Sequence, residues 1–151
     1  MNIFFEYNWQ VREEWFDWCS QISQEKLVRE RIGGVGSILR TLVHIVDVEQ
    51  SWIRGLMGVP EFHYKYDDYT SLESVRNLSD KCRLEIKDYI SEWSEDEEKR
   101  QFNQFTYAEV IRHVIAHEIH HIGQLSIWSR ELGLTPISAN FIRRGLGQGV
   151  E

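Results

Sequence analysis

The segment from residue 108 to residue 133 constrains the fold most, because it combines a helical apolar repeat with four of the protein's six histidines. Its apolar side chains recur at intervals of three, four and seven, which is typical of an α-helix with one buried face; they are Val110, Val114, Leu125, Trp128 and Leu132. At 3.6 residues per turn, His117 falls within about 20° of Val110, and His121 falls within about 20° of Val114. His113 and His120 lie about 40–60° further round, at the polar edge. The segment therefore predicts a helix that directs two histidines toward the rest of the fold.

Two histidines four residues apart on one helical face form a candidate metal site. Residues at i and i+4 lie ~5–6 Å apart at Cβ, so both rings can reach one ion. The alternative is a pair of core imidazoles bonded to carbonyls, since a polar ring without a partner is costly to bury. His113 and His117 have the same spacing. Spacing alone therefore leaves both pairs open, although the apolar stripe favours His117 with His121.

The composition indicates one globular domain over residues 1–151, with 42% hydrophobic and 13% aromatic side chains. A formal net charge of −7 does not suit duplex nucleic acid or an anionic membrane, so neither is expected as a partner. No stretch approaches the roughly 18 apolar residues of a membrane span, and the opening residues lack the features of a signal peptide. We therefore expect a cytoplasmic protein. Cys19 and Cys82 lie outside any CxxC motif, which favours reduced core thiols and leaves a single disulfide open.

Three further amphipathic segments, together with the histidine segment, predict an all-α four-helix bundle. They cover about residues 3–22, 37–57 and 70–93. The first places Phe5, Trp9, Phe16 and Cys19 on one side. The connections at 20–37, 59–69 and 94–105 are predicted as loops. Because they are longer than an up-and-down bundle needs, at least one is expected to cross over.

Capping residues predict where the helices begin and end. Ser37 is the expected N-cap of the second helix, which Gly58 and the following proline terminate. Thr70–Glu73 and Thr106–Glu109 both match the capping-box pattern and are expected to begin the third and fourth helices. Gly133 is expected to end the fourth, and the tail to residue 151 shows no strong pattern.

The second predicted helix carries a histidine, His44, and a carboxylate within its apolar face, Glu49. Apolar side chains define that face; they are Ile38, Leu42, Ile45, Val46 and Ile53. His44 lies more than about 90° from its centre, which is as typical of a surface residue as of a ligand. Contacts on a second side of the helix would still allow His44 to face the histidine helix. Glu49 needs a partner or a function, because an uncompensated buried carboxylate is costly.

Four segments of the chain resemble the DinB/YfiT-like family of bacterial four-helix bundles. Residues 7–18, YNWQVREEWFDW, are similar to the family's opening helix. Residues 36–53, GSILRTLVHIVDVEQSWI, resemble its second-helix motif, with the metal histidine, an acidic residue five positions on and a tryptophan after it. Residues 113–125, HVIAHEIHHIGQL, resemble the closing motif, in which His, three residues and His are followed by Gly-Gln. Residues 131–136, ELGLTP, resemble the exit from that helix.

The resemblance implies a divalent metal ion, nickel or zinc, held by His44, His117 and His121. It leaves the other three histidines outside the site. Many family members have an arginine after the last histidine, whereas Ile122 follows His121 here. Any role of that arginine is therefore absent from this chain.

The resemblance also implies an activity. In family members with an assigned activity, the ion activates the sulfur of a low-molecular-weight thiol such as bacillithiol or mycothiol, which attacks an electrophile or assists an isomerisation. A metal-dependent thiol S-transferase is therefore the leading hypothesis. Three imidazoles suit it, because they leave positions for water or substrate on zinc, as catalytic sites do.

Other polar and aromatic residues near the motifs are candidates for supporting roles. Glu49 is a candidate base or partner of a ligand histidine, unless it only bonds a neighbouring helix. Gln124 is a candidate donor to substrate or a polar contact between helices. Glu118 lies near the apolar face and could act as Glu49 does. Trp52 and Trp128 either line a pocket or belong to the core.

Two functions from other classes stay open. In one, the ion is a structural staple of a non-enzymatic metal-binding or stress-response protein. In the other, the chain is an interaction module with a vestigial site. An open coordination position beside a pocket distinguishes an enzyme from a staple. The family resemblance further implies a homodimer formed through helix faces.

Overall fold

The computed structural model describes residues 2–147, and these residues are predominantly helical. Five α-helices are present in this part of the chain: α1 (Asn2–Cys19), α2 (Gln24–Val28), α3 (Ile38–Met57), α4 (Leu72–Ser91) and α5 (Tyr107–Glu131). Two short strands, β1 (Gln101–Phe102) and β2 (Phe105–Thr106), form an antiparallel hairpin. Two 3₁₀ turns occur at Tyr66–Asp68 and Glu97–Lys99. The all-α prediction is confirmed.

Side-chain caps begin three of the long helices. The Ser37 hydroxyl accepts from the Arg40 backbone N–H, as expected. Thr106 forms the predicted capping box with Glu109 at the start of α5. The predicted capping box at Thr70–Glu73 is wrong by one residue. Ser71 is the N-cap of α4, because its hydroxyl accepts from Ser74 N–H at 3.1 Å and the Ser74 hydroxyl accepts from Ser71 N–H.

Two predicted loops contain regular structure. Within 20–37, Ser23 caps the short helix α2, and α1 ends at Cys19 instead of continuing to residue 22. Within 94–105, Asn103 lies in the turn of the hairpin, between β1 and β2, and has φ 55°. Asparagine tolerates this left-handed conformation, which is typical of hairpin turns. The sequence did not predict the hairpin, because strands of two residues are too short to show an alternating pattern.

The four long helices pack so that α1 and α5 run parallel, and α3 and α4 run in the opposite direction. Both α1 and α3 pack against α4 and α5, which puts α1 and α3 across the diagonal of the bundle. One buried cluster joins the starts of α1 and α5 to the ends of α3 and α4, and it includes Phe5, Ile53, Ile86 and Tyr107. A second cluster joins the opposite ends, and it includes Trp15, Ile38, Val75 and Leu125.

Residues 58–71, which we call the crossover segment, connect the parallel helices α3 and α4. A tight turn cannot join parallel neighbours, so the segment returns along the bundle as the loop lengths predict. The Tyr64 backbone N–H donates to Asp47 Oδ1 at 2.9 Å. The Tyr66 hydroxyl lies 2.7 Å from Nδ1 of His44. The crossover segment therefore packs on the middle of α3, beside His44.

The chain after α5 packs back on α1. The Tyr7 hydroxyl donates to the Ala139 carbonyl at 2.6 Å, and the Trp18 indole donates to the Thr135 carbonyl at 2.8 Å. The predicted tail up to residue 147 is therefore ordered against the bundle, and its last four residues lie outside the described part. Cys19 and Cys82 are buried free thiols, as expected. No helix within residues 2–147 has both the length and the apolar character needed to cross a membrane.

Candidate metal centre

Three histidines from two helices bring their ring nitrogens together between α3 and α5. Nε2 of His117 lies 3.0 Å from Nε2 of His44 and 3.1 Å from Nε2 of His121. One ligand atom from each of the three residues lies within 4.8 Å of the others. His44 faces α5 because α3 contacts α4 on one side and α5 on another. This second contact side is why His44 lies away from the centre of the apolar face and is still half-buried.

Two of the three distances between Nε2 atoms match those expected around one ion. With bonds of ~2.1 Å, two imidazole nitrogens lie ~3.0 Å apart at octahedral angles and ~3.4 Å apart at tetrahedral angles. The two closest spacings, 3.0 and 3.1 Å, belong to this range. Two of the three pairs, His44–His117 and His117–His121, therefore already have the spacing of ligands on one divalent ion.

Hydrogen bonds on the far side of two rings direct the Nε2 lone pairs toward the centre. Gln124 Oε1 lies 2.8 Å from Nδ1 of His121, and because an amide oxygen only accepts, Nδ1 carries the proton. The Tyr66 hydroxyl donates to Asp47 at 3.4 Å, which leaves its oxygen free to accept from Nδ1 of His44, 2.7 Å away. Both contacts suit the tautomer that leaves Nε2 free to bind a metal.

Burial keeps the three imidazoles neutral. It lowers the pKa of His117 to about 3, and charge on the neighbouring imidazoles, that of His121 first, acts in the same direction. Burial also lowers the pKa of His44 and of His121. Metals bind the neutral form of histidine, so the site is ready for an ion at neutral pH.

The other three histidines lie outside the group of Nε2 atoms. His113 is exposed one turn before His117, and its ring centroid is 5.8 Å from that of His117. His120 contacts the Gln124 amide nitrogen at 3.2 Å. His63, on the crossover segment, lies 3.3 Å from Asp47 Oδ2. Of the two pairs with the same spacing, His117–His121 is therefore the one that lies with His44 in the described chain, because His113 does not join the group.

Glu49 and Glu118 form a buried ion-pair network on the inner side of the bundle. Glu49 accepts from Arg12 Nη1 at 2.9 Å and from the Trp9 indole at 3.0 Å. Glu118 accepts from Nε and Nη2 of Arg12, at 2.8 and 2.6 Å. Burial raises the pKa of Glu118, although the charge of Arg12 acts in the opposite direction. Within the described chain Glu49 bonds Arg12 and Trp9 of α1, so it is a carboxylate paired with another helix, the one across the diagonal of the bundle.

Gln124 contacts the candidate ligand His121 directly, and the backbone opposite Gln124 is glycine. A Cβ on Gly34 would lie 2.3 Å from Gln124 Oε1, so a side chain at residue 34 would require the end of Gln124 to move. The Trp128 indole donates to the Ile32 carbonyl at 3.2 Å and ties the same loop to α5. Trp128 is therefore a core residue, whereas Trp52 is only half-buried and its ring lies 5.6 Å from that of His113.

Sequence reasoning missed Asp47 and Tyr66, which orient His44. Asp47 was accessible in principle, since it lies three residues after His44 and therefore on the same side of the helix. Tyr66 lies in an aromatic and acidic loop without a period, so the sequence contains no local sign that its hydroxyl reaches His44.

Comparisons with known proteins agree with the fold. A family model described as "DinB family" matches residues 1–146. The Bacillus subtilis (strain 168) protein YizA, described as uncharacterized, is 48% identical over 153 positions, which cover 97% of this chain and 96% of YizA. The crystal structure of a DinB-like protein from Bacillus cereus ATCC 10987 has a TM-score of 0.67 at 22% identity, with 89% of this chain and 91% of that one covered. This last likeness concerns the fold alone.

Proposed function

The chain belongs to the DinB family, and from that premise we propose that it is a metal-dependent thiol S-transferase. Its substrates are a low-molecular-weight thiol, bacillithiol or a similar one, and a small electrophile. His44, His117 and His121 would hold the ion, nickel or zinc. The observation that carries the proposal is the convergence of their three ligand atoms within 4.8 Å.

When bound, a divalent ion acts as a Lewis acid that lowers the pKa of a thiol or of water. The protein's own residues hold the ligand rings for it: Tyr66 and Asp47 orient His44, and Gln124 orients His121. His44 and His117 are only half-buried, so a substrate can approach the site from the outer side of α3 and α5.

The proposed transfer forms a bond from the thiol sulfur to a carbon of the electrophile. The bond from that carbon to its leaving group breaks, and the leaving group keeps the electron pair. The proton of the thiol passes to solvent. Neither Glu49 nor Glu118 is needed for these steps, because Arg12 already pairs with both carboxylates.

A structural staple is the second candidate function. It is supported by the way the three ligands link α3 to α5, since an ion at this point would connect two helices that are far apart in the chain. A staple needs no room for a second molecule beside the ion. The response of the bound metal to a thiol separates the two functions.

Cobalt-substituted protein provides the test. We expect about one cobalt per chain and a sulfur-to-metal charge-transfer band after addition of bacillithiol. His44→Ala should lower cobalt affinity by about 100-fold, because a structural site of four ligands supplies ~10–16 kcal/mol, or ~3 kcal/mol for each ligand. His63→Ala is the matched control and should bind cobalt as the wild type does.

Two outcomes would contradict the proposal. Wild-type cobalt affinity in His44→Ala would remove His44 from the ligand set. A metal-dependent rise in melting temperature without any spectral response to thiols would favour the staple, since stabilisation by binding requires no substrate.

A further inference from the structure

An apolar pocket of about 320 Å³ lies beside the candidate metal centre, between α3, α5 and the hairpin. It is lined by Trp52, Phe105, Glu109, Val110 and His113. Its volume falls at the lower end of the range of small-molecule pockets, about 300–1,000 Å³. The pocket therefore has room for one small ring or a branched alkyl group.

His113 forms the wall between the pocket and the metal ligands. Its ring centroid lies 5.8 Å from that of His117 and 5.6 Å from that of Trp52. His113 and His117 are one helical turn apart on α5, and Trp52 lies two turns after His44 on α3. A molecule whose apolar group fills the pocket would thus have its other end next to His117.

The hairpin that closes the pocket depends on a glycine of α3. A Cβ on Gly55 would lie 2.6 Å from Cζ of Phe102, so any side chain there would collide with this ring. Phe102 and Phe105 both contact Trp52 edge-to-face, with ring centroids 6.3 and 6.2 Å apart. The contacts hold the aromatic wall in place, which indicates a formed pocket and not a gap between loosely packed loops.

The carboxylate in the lining is bonded elsewhere. Glu109 Oε2 accepts from the Thr106 backbone N–H at 2.7 Å and from its hydroxyl at 2.8 Å. These bonds belong to the capping box of α5 and direct the charge toward the helix start. The remaining walls are aromatic, aliphatic or imidazole, and they would leave the hydroxyl groups of a sugar-bearing thiol with few partners.

We propose that this pocket binds the aryl or branched alkyl group of the electrophile, with the reacting carbon toward His117. The chemical identity of the occupant rests on the proposed thiol transfer, in which the thiol is the polar substrate and the electrophile is the apolar one. The leaving group is a halide on the carbon attached to the apolar group. It departs with the electron pair as the sulfur–carbon bond forms, and the thiol proton passes to water.

Hydroxamates of increasing apolar size test the pocket without any thiol. We expect 3-phenylpropionohydroxamate to bind the nickel-loaded protein at least about tenfold more tightly than acetohydroxamate, because a buried phenyl group contributes more than the ~1.4 kcal/mol that a factor of ten requires. Phe105→Ala should remove most of this difference and leave the affinity for acetohydroxamate unchanged. Phe4→Ala, which truncates a similarly exposed phenylalanine on α1, is the matched control and should keep the difference.

A second experiment tests whether the group in the pocket belongs to the electrophile. It compares the rates at which bacillithiol reacts with a benzyl halide and with iodoethane in the presence of the metal-loaded protein. A preference for the benzyl halide that Phe105→Ala abolishes supports the proposal. Equal affinities of the two hydroxamates, or an unchanged difference in Phe105→Ala, would overturn it. If the phenyl hydroxamate binds more tightly but neither halide reacts, the pocket binds an apolar group as proposed. That result would contradict both the transferase activity and the assignment of the electrophile to this pocket.

Discussion

His44 depends on a hydroxyl from another part of the chain. The Tyr66 oxygen accepts from Nδ1 of His44 at 2.7 Å and donates to Asp47. An imidazole whose second nitrogen is bonded in this way keeps one tautomer and one ring orientation, and it is a more basic ligand. The Tyr66 hydroxyl is therefore placed to orient His44, the candidate ligand on α3, toward α5.

Tyr66→Phe should lower metal affinity by about 10–100-fold, which is the usual effect of removing the partner of a ligand histidine. The ring stays in place, so the melting temperature of the metal-free protein should change little. Tyr64→Phe is a matched control on the same crossover segment, because the Tyr64 hydroxyl contacts Gln50 and Cys82 instead of a ligand. A chelator titration measures both variants, and equal losses of affinity would contradict a specific role for Tyr66.

The loop between α2 and α3 acts on the site through one close approach. Gly34 has φ 52° and lies against Gln124, which bonds Nδ1 of His121. A methyl group at residue 34 would displace the end of the flexible glutamine and leave the His121 ring without its acceptor. The loop between α2 and α3 contains none of the three candidate ligands, yet through Gln124 it contacts the partner of His121.

Gly34→Ala should lower metal affinity by about tenfold, as expected when the bond that orients a ligand is lost. Gly33→Ala provides a strict control: residue 33 also has a positive φ, of 96°, but no atom lies within 4 Å of its added Cβ. Both variants strain the backbone, by about 1 kcal/mol or more, and only Gly34→Ala should change the chelator titration. A comparable loss of affinity in Gly33→Ala would show that loop strain, not the contact with Gln124, is responsible.

The arrangement of the whole bundle brings the three candidate ligands together. Since α3 and α5 are antiparallel neighbours, the middle of one faces the middle of the other, and His44 meets His117 although 73 residues separate them. Because α3 and α4 are parallel, the crossover segment has to return past the same point and supplies Tyr66 there. A homodimer through helix faces stays a prediction.

Acid should destabilise the metal-free protein through these histidines. Unfolded histidine has a pKa of about 6.5, whereas the pKa of folded His117 is about 3. Between these two pKa values the unfolded chain binds more protons than the folded one, so the free energy of unfolding falls as pH decreases. Above about pH 6.5, His117 is neutral in both states and does not make the free energy of unfolding depend on pH. Urea titrations at pH 7.5 and 5 should show a larger loss for wild type than for His117→Ala, and equal losses would contradict the role of His117.

The helices and part of the site were predictable because their signals are local. The stripe containing His117 and His121, the cap at Ser37 and the capping box at Thr106 all act within one or two helical turns, so periodicity and spacing are sufficient. The errors are also local, since Thr70 and Ser71 compete as caps within one residue and the strands of the hairpin are too short for a pattern. The prediction of His44 as a third ligand depended on a family resemblance, because its wheel position alone did not distinguish a ligand from a surface residue.

Only the tertiary structure decided which partners the site residues have. The chain alone placed a carboxylate, Glu49, within an apolar face, and the fold paired it with Arg12 across the diagonal of the bundle. It was the fold again that brought Tyr66 to His44, Gly34 to Gln124 and the hairpin to Trp52. Each of these contacts joins segments whose separation in sequence gives no information about distance. They form because burying the apolar faces of four helices selects one topology, and that topology determines which loops pass over the histidines.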